Sequence, residues 1–265
     1  MKSIFEIEKR LNINQEFRKF VKVFHSLKTI KCRLMIEWIT LFDFFDIKVF
    51  QKWKYRDTML STKEFLAHIG VSEEILKGRI TISEEVFLRY IEFVLNMLLI
   101  SKFELYDCDI TEIVNAAIEN INVILEKMNY EKYEIEDRII LSKRNADVDS
   151  VLEYVPKDIV ECLLEYNDFR IQNDIESKRK ILKDIDLYIE KNINIKAFDV
   201  NLNNAIGTIV NEMGVNHPIN KEPYLSYNNT QLIEWYDKCF LMMIHAIRAI
   251  EVNKIKNERK QLLQK

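Results

Sequence analysis

Apolar residues recur at spacings of three and four along most of the 265-residue chain, and this spacing places them on one face of an α-helix. The clearest stripe runs from Ile113 to Met128, and a second runs from Phe198 to Met213. Similar stripes occupy residues 17–27, 87–98 and 232–250. The pattern predicts an all-α fold in which amphipathic helices bury one face against each other.

One segment departs from the helical period. Residues 130–143 (YEKYEIEDRIILSK) alternate apolar and polar positions on either side of Glu136–Asp137. The apolar side chains on the inner face are Tyr133, Ile135, Ile139 and Leu141. Alternation around a two-residue turn is typical of paired strands, so we expect one small β-hairpin near residues 132–142.

Helix start and stop signals subdivide the chain. Ser61 with Glu64 forms a capping-box pattern that opens a short helix, and Gly70 ends it. Asn173 with Glu176 predicts the cap of a helix over 174–191. Residues 101–109 separate the two halves, so we expect an N-terminal helical domain over 1–105 and a C-terminal helical domain over 106–265 that contains the hairpin.

Composition removes several function classes. Four Gly and three Pro are too few for phosphate-cradling loops or disordered linkers, and no P-loop, GxSxG or HExxH motif is present. The four histidines form no pair at helical spacing, so no metal or other cofactor is expected. No apolar run approaches the roughly 18–20 residues of a membrane span. Four isolated cysteines are typical of buried thiols in a reducing cytoplasm.

Charge is distributed unevenly around a net value of −3. Residues 1–60 carry 13 Lys and Arg against 7 Asp and Glu, so the remaining residues are acidic. A basic helical arm can bind nucleic acid, or it can dock on the acidic remainder of the same chain. Both interpretations stay open.

The segment from Asn211 to Thr230 (NEMGVNHPINKEPYLSYNNT) interrupts two strongly amphipathic helices. Pro218 disfavours helical dihedral angles at His217, so this imidazole is expected in an extended bend just beyond a helix end. An irregular segment held between helices is a common place for a functional site. Alternatively, His217 caps the exposed carbonyl groups of the preceding helix.

Three stretches resemble a family of uncharacterised bacterial proteins, mainly from Firmicutes, that is connected with abortive infection, a form of phage defence. The stretches are LLEYNDFRIQNDIESKRKIL (163–182), NEMGVNH (211–217) and EWYDKCFLMMIHAI (234–247). The resemblance covers residues 110–265. The C-terminal unit is also similar to the HEPN superfamily, many of whose members cleave RNA with an Arg and a His at a dimer interface.

This resemblance implies that His217 is the catalytic, proton-transferring residue, and that Asn211 is its polar neighbour. Asn216 stands where the family has Arg, which removes a cation that would stabilise charge on phosphorus. Lys221 is the candidate replacement. The leading hypothesis is therefore a cytoplasmic phage-defence protein whose degenerate HEPN-like module engages RNA or a partner protein through Asn211, Asn216 and Lys221. Because HEPN-like units commonly pair, the resemblance also implies a homodimer. A metal-independent endoribonuclease that uses His217 is the enzymatic alternative.

A further alternative comes from residues 62–98, which resemble a helix-turn-helix unit with Gly70 at the turn. Such a unit would make the protein a DNA-binding regulator. The expected recognition helix begins with Ser72, Glu73 and Glu74, and these carboxylates repel phosphate. Ordinary helical packing, in a protein with a purely structural role, is the competing interpretation of this segment.

Overall fold

A computed structural model of the chain describes residues 11–30, 38–101, 111–216 and 227–263. The chain packs as two compact units, Met1–Leu141 and Ser142–Lys265. The expected boundary between residues 105 and 106 falls in a stretch outside the described residues. The hairpin contributes most of its residues to the first unit, because the division comes at Leu141, within the second strand of the hairpin.

The expected fold class, all-α with one small hairpin, is confirmed. The elements of the first unit are α1 (Ile13–Val21), β1 (Lys28–Ile30), β2 (Ile39–Thr40), α2 (Leu41–Phe44), α3 (Thr62–His68), α4 (Glu73–Leu76), α5 (Glu84–Ser101), α6 (Thr111–Lys127), β3 (Tyr130–Ile135) and β4 (Arg138–Lys143), whose last two residues belong to the second unit. The elements of the second unit are α7 (Ala146–Asp149), α8 (Lys157–Tyr166), α9 (Ile175–Asn192), α10 (Val200–Glu212) and α11 (Asn229–Leu263). In the described ranges, no helix combines the length and the apolar character that crossing a membrane requires.

The first unit is built around α5, which is apolar on nearly every side. Phe93 on α5 lies among Phe50, Trp53 and Phe65, and ring centroids in this cluster are 4.9–6.4 Å apart. Edge and stacked aromatic contacts of this kind add to the free energy of burial. The strands β1 and β2 pair antiparallel and form a second, shorter ribbon that the sequence pattern did not predict.

The hairpin is attached to α5 by a buried asparagine. Asn96 Nδ2 donates to the Ile139 carbonyl and Asn96 Oδ1 accepts from the Ile139 amide, both at 2.9 Å. Glu92, one turn earlier, accepts from the Leu141 amide at 2.9 Å. The helix therefore supplies β4 with hydrogen bonds that a third strand would otherwise provide. At the tip, Glu136 has a φ of +55°, the left-handed conformation that the tight turn requires.

The predicted helix ends are close to the observed ones. Ser61 Oγ accepts from the Glu64 amide at 3.1 Å, and Gly70, at a φ of +93°, follows the end of α3. At α9 the predicted cap is wrong by one residue: Asp174, not Asn173, accepts from the Ser177 amide at 3.1 Å. Asp and Asn side chains both cap helices well, so the cap is the residue whose backbone is extended just before the first turn, and here that residue is Asp174.

Candidate functional site

Two of the four residues proposed from the sequence lie in the described part of the chain. His217 and Lys221 fall in 217–226, outside the described residues. Asn211 is exposed near the end of α10, and its amide donates to the Gly207 carbonyl one turn earlier at 2.8 Å. Asn216 Nδ2 donates to Asp186 Oδ2 at 2.9 Å.

Asn216 is held by a carboxylate in the interior. Asp186 is only 5% exposed, and burial raises the pKa of its carboxyl group, an effect that the Asn216 hydrogen bond opposes. The other end of the Asn216 amide, Oδ1, is buried, and no described group donates to it. Leaving an acceptor in this state costs free energy, so the pair is an imperfect match.

Asp186 and Gly207, the partners of Asn216 and Asn211, line one cavity of about 500 Å³ between α9 and α10. Neither asparagine lines it. Asn211 and Asn216 therefore each donate a hydrogen bond to a residue of the same cavity lining, and neither amide faces the cavity itself.

A different cavity of the second unit concentrates more chemistry. It has a volume of about 450 Å³, within the range of small-molecule sites. Three of its lining residues interact directly: Tyr166 at the end of α8, Lys178 on α9 and Asp237 on α11. We refer to it as the Lys178 cavity.

Asp237 is the common acceptor of this group. Its Oδ1 atom is 2.6 Å from Lys178 Nζ and 2.9 Å from the Tyr166 hydroxyl, which donates to it. The ammonium group also lies 4.3 Å from the centroid of the Tyr166 ring, a cation–π contact. Phe240 stacks on the Tyr166 ring, with centroids 3.9 Å apart and planes inclined by 13°. These contacts fix Tyr166 in one orientation.

Burial keeps the Tyr166 phenol protonated. Desolvation, followed by the negative charge of Asp237, raises the pKa of Tyr166 far above its usual range, so the phenol stays protonated and donates. Lys178 is 5% exposed, whereas the Asp237 side chain is 50% exposed. An ammonium has three donors, and its hydrogen bond to Asp237 uses one of them. The cavity thus holds a fixed cation with hydrogen-bonding capacity for a ligand.

Four amide side chains line the same cavity. Asn145, Asn167, Gln172 and Asn173 line the cavity together with the exposed Lys143. Asn145 caps α7 and directs its Nδ2 toward Asn167 Oδ1 at 3.4 Å. Amides present both donors and acceptors, so the lining can recognise polar edges as well as negative charge.

The sequence contained a signal for this site that reasoning from periodicity missed. Lys178 lies on the same helical face as Leu182, Ile185 and Ile189, which are buried. A lysine on an apolar face requires a partner, because an unpaired buried charge is costly. Tyr166 is buried like a core aromatic, but its hydroxyl belongs to the polar cluster.

The segment that resembles a helix-turn-helix unit has a short second helix. The expected recognition helix, α4, has four residues. Glu73 in its first turn is 2.7 Å from Lys63 and 3.0 Å from Lys77, and these lysines lower the pKa of Glu73 to about 2. A charged carboxylate in the first turn is unfavourable for a phosphate backbone.

The remaining candidate chemistry is limited. Cys162 and Cys239 are free thiols, and burial raises their pKa values to about 11 and about 12. Cys32 and Cys108 lie outside the described residues. Among the residues that the structure describes, no group of three His, Cys, Asp or Glu side chains is arranged to hold a metal ion.

Comparisons of the chain with protein-family models, with curated proteins and with solved structures found no match.

Proposed function

We propose that the protein binds single-stranded RNA and takes one nucleotide of it into the Lys178 cavity. The observation that carries the proposal is the buried ammonium of Lys178, which lines a cavity of about 450 Å³ together with four amide side chains. The resemblance to HEPN-like units supports RNA as the ligand, and the resemblance to abortive-infection proteins supports phage defence in the cytoplasm as the setting. A homodimer is part of the same proposal.

The chemistry of the lining favours a nucleotide over a protein side chain. Phosphate needs cations, which Lys178 and Lys143 supply, and base edges need paired donors and acceptors, which the amides supply. Hot spots of protein–protein interfaces are instead dominated by Trp, Tyr and Arg. The aromatic ring of Tyr166 is covered by Phe240 and Lys178, so it serves to position the cation.

Binding is measured by fluorescence anisotropy with a labelled single-stranded RNA of about 12 nucleotides and with DNA of the same sequence. The test variant is Lys178→Met, which keeps the stem and removes the charge. The matched control is Lys180→Met, because Lys180 is exposed on the same helix and does not line the cavity. We expect Lys178→Met to weaken RNA binding by about tenfold or more, as for the loss of a charge-assisted hydrogen bond, and Lys180→Met to change it by less than about twofold.

The salt dependence of RNA affinity distinguishes a contact between Lys178 and a phosphate from attraction by the overall charge of the protein. Between about 50 and 200 mM salt, the slope of log affinity against log salt should decrease by about 0.7 in Lys178→Met if the ammonium contacts one phosphate. Equal weakening in both variants would show that binding depends on overall charge, and would refute the proposal. Failure of the folded wild-type protein to bind RNA at low salt would refute it as well.

The same samples decide between binding and cleavage. A binding function predicts that the RNA is recovered intact after incubation. Cleavage that disappears in His217→Ala would instead support the ribonuclease alternative. Phage plating on cells that express Lys178→Met or Lys180→Met tests the defence role, because only the first variant should lose protection.

A further inference from the structure

The first unit contains a separate cavity of about 480 Å³ with a largely apolar lining. Its apolar lining residues include Phe42, Leu66, Val71 and Leu76. The His25 ring stacks on Phe42, with centroids 4.0 Å apart, and His25 Nε2 is 3.0 Å from the Tyr90 hydroxyl. One wall of the cavity is therefore a fixed pair of flat aromatic rings.

Three carboxylates line this cavity, and two of them, Asp43 and Asp46, form no ion pair with a described lysine or arginine. Asp43 accepts from the Thr40 amide and hydroxyl at 3.1 and 2.7 Å. Asp46 Oδ1 accepts from the Thr62 amide and hydroxyl at 2.7 and 2.8 Å. Within the described ranges, no Lys or Arg side chain forms an ion pair with either carboxylate.

The lining also contains two ammonium groups, and both are paired with the third carboxylate of the cavity, Glu73. Lys63 and Lys77 both bind Glu73, at 2.7 and 3.0 Å. Burial lowers the pKa of His25 to about 4, so its imidazole is neutral at physiological pH and does not repel a cation. Asp43 and Asp46 consequently give the apolar lining a negative field.

We propose that this cavity binds a small organic cation, a protonated primary amine attached to an apolar or aromatic body. Asp46 Oδ2 is the acceptor for the ammonium, because Oδ1 is already occupied by Thr62. The Phe42 ring provides an electron-rich face for the same charge, and the buried leucine and valine side chains contact the apolar body. A carboxylate ligand would be repelled by Asp43 and Asp46, whereas the ammonium groups of Lys63 and Lys77 are already paired with Glu73.

The probe is phenethylammonium, titrated calorimetrically into the full-length protein at neutral pH. Phenethyl alcohol is the neutral comparator and hydrocinnamate is the anionic one. We expect the ammonium to bind at least about tenfold more tightly than the alcohol, as for a charge-assisted hydrogen bond, and hydrocinnamate not to bind. Lys178→Met should leave this binding unchanged, so that the result is independent of the proposed RNA site.

Three variants sharpen the test. Asp46→Asn keeps an acceptor for Thr62 and should weaken ammonium binding about tenfold without affecting the alcohol. Ala67→Trp places a large ring at an exposed lining position and should abolish binding of both ligands while the core stays intact. Glu119→Gln, an exposed site on α6 that does not line the cavity, is the control for net charge.

Several results would overturn the proposal. These are equal affinities for ammonium and alcohol, unchanged ammonium binding in Asp46→Asn, or an equal loss in Glu119→Gln. Absence of binding by the folded wild-type protein at about 10 mM phenethylammonium would have the same meaning, since that limit corresponds to less than about 3 kcal/mol of binding free energy.

Discussion

The ion pair between Lys178 and Asp237 should respond very differently to the removal of each partner. Lys178 is 5% exposed, whereas half of the Asp237 side chain is open to water. In Lys178→Met the remaining carboxylate can be hydrated, and the methionine keeps most of the buried stem contacts. We expect the free energy of unfolding to change by less than about 1 kcal/mol, as for pairs with an exposed partner.

Asp237→Leu leaves a buried ammonium and the Tyr166 hydroxyl without their common acceptor. The loss of a partner from a fully buried pair costs about 3–5 kcal/mol, and access of water through the cavity reduces this, so we expect a decrease of about 2–3 kcal/mol. Glu234→Leu is the control, because Glu234 is exposed about one turn earlier on α11. Urea unfolding followed by circular dichroism gives the midpoints, and an unchanged slope shows that stability alone has changed.

Equal destabilisation by Lys178→Met and Asp237→Leu would refute this reasoning. It would mean that Asp237 depends on the ammonium as strongly as the ammonium depends on Asp237, and therefore that the cavity is closed to water. The proposal that a ligand can reach the Lys178 ammonium through the Lys178 cavity would then fail.

Three further predictions concern the two cores. His25 has a pKa of about 4 in the folded protein against 6.5 in the unfolded chain, so the folded state takes up a proton less readily. Neutral His25 therefore contributes fully to the free energy of unfolding above pH 6.5, and about 3 kcal/mol is lost as the pH falls to 4. His25→Gln should flatten this acid dependence of the urea midpoints. Burial raises the pKa of Asp186 above its ordinary value of 3.8, so the protonated carboxyl contributes fully to the free energy of unfolding below pH 3.8, and this contribution is lost as the pH rises. Asp186→Asn should therefore have a higher urea midpoint than the wild type at neutral pH but not in acid. The same gain at both pH values would contradict this. Asn96→Leu should lower the free energy of unfolding by about 2–4 kcal/mol and accelerate amide exchange at Ile139, because the Ile139 amide and carbonyl lose their partners. Unchanged exchange at Ile139 would show that the strands hold each other without Asn96.

Local signals predicted the fold class well. The apolar alternation on both sides of Glu136–Asp137 identified the hairpin, although Glu-Asp is a weaker turn pair than Asn-Gly or Asp-Gly, because side-chain periodicity outweighs turn propensity. The capping pattern at Ser61 was also sufficient, since the hydrogen bond it forms spans only three residues. The ribbon of β1 and β2 was not predictable, because strands of three and two residues are too short to show a period.

The site was only partly predictable, for a physical reason. Lys178 and Asp237 are separated by 59 residues, so no local sequence pattern could predict that they form an ion pair. The position of Lys178 on a buried face showed that it needs an anion but not which one. Asn216 was singled out because it replaces an arginine in a resembling family, whereas its observed partner, Asp186, lies 30 residues earlier on a different helix.

The bond between Asn96 and Ile139 has a consequence for synthesis on the ribosome. In a nascent chain that has emerged only as far as α5, Asn96 Nδ2 has the Glu92 carbonyl as its acceptor, but Asn96 Oδ1 lacks the Ile139 amide, which is 43 residues downstream. The N-terminal unit therefore cannot complete its interior until β4 has left the exit tunnel, and a fragment that stops at residue 105 would be released in that unfinished state. We expect chaperones that recognise exposed apolar surface to bind the nascent chain mainly during this interval.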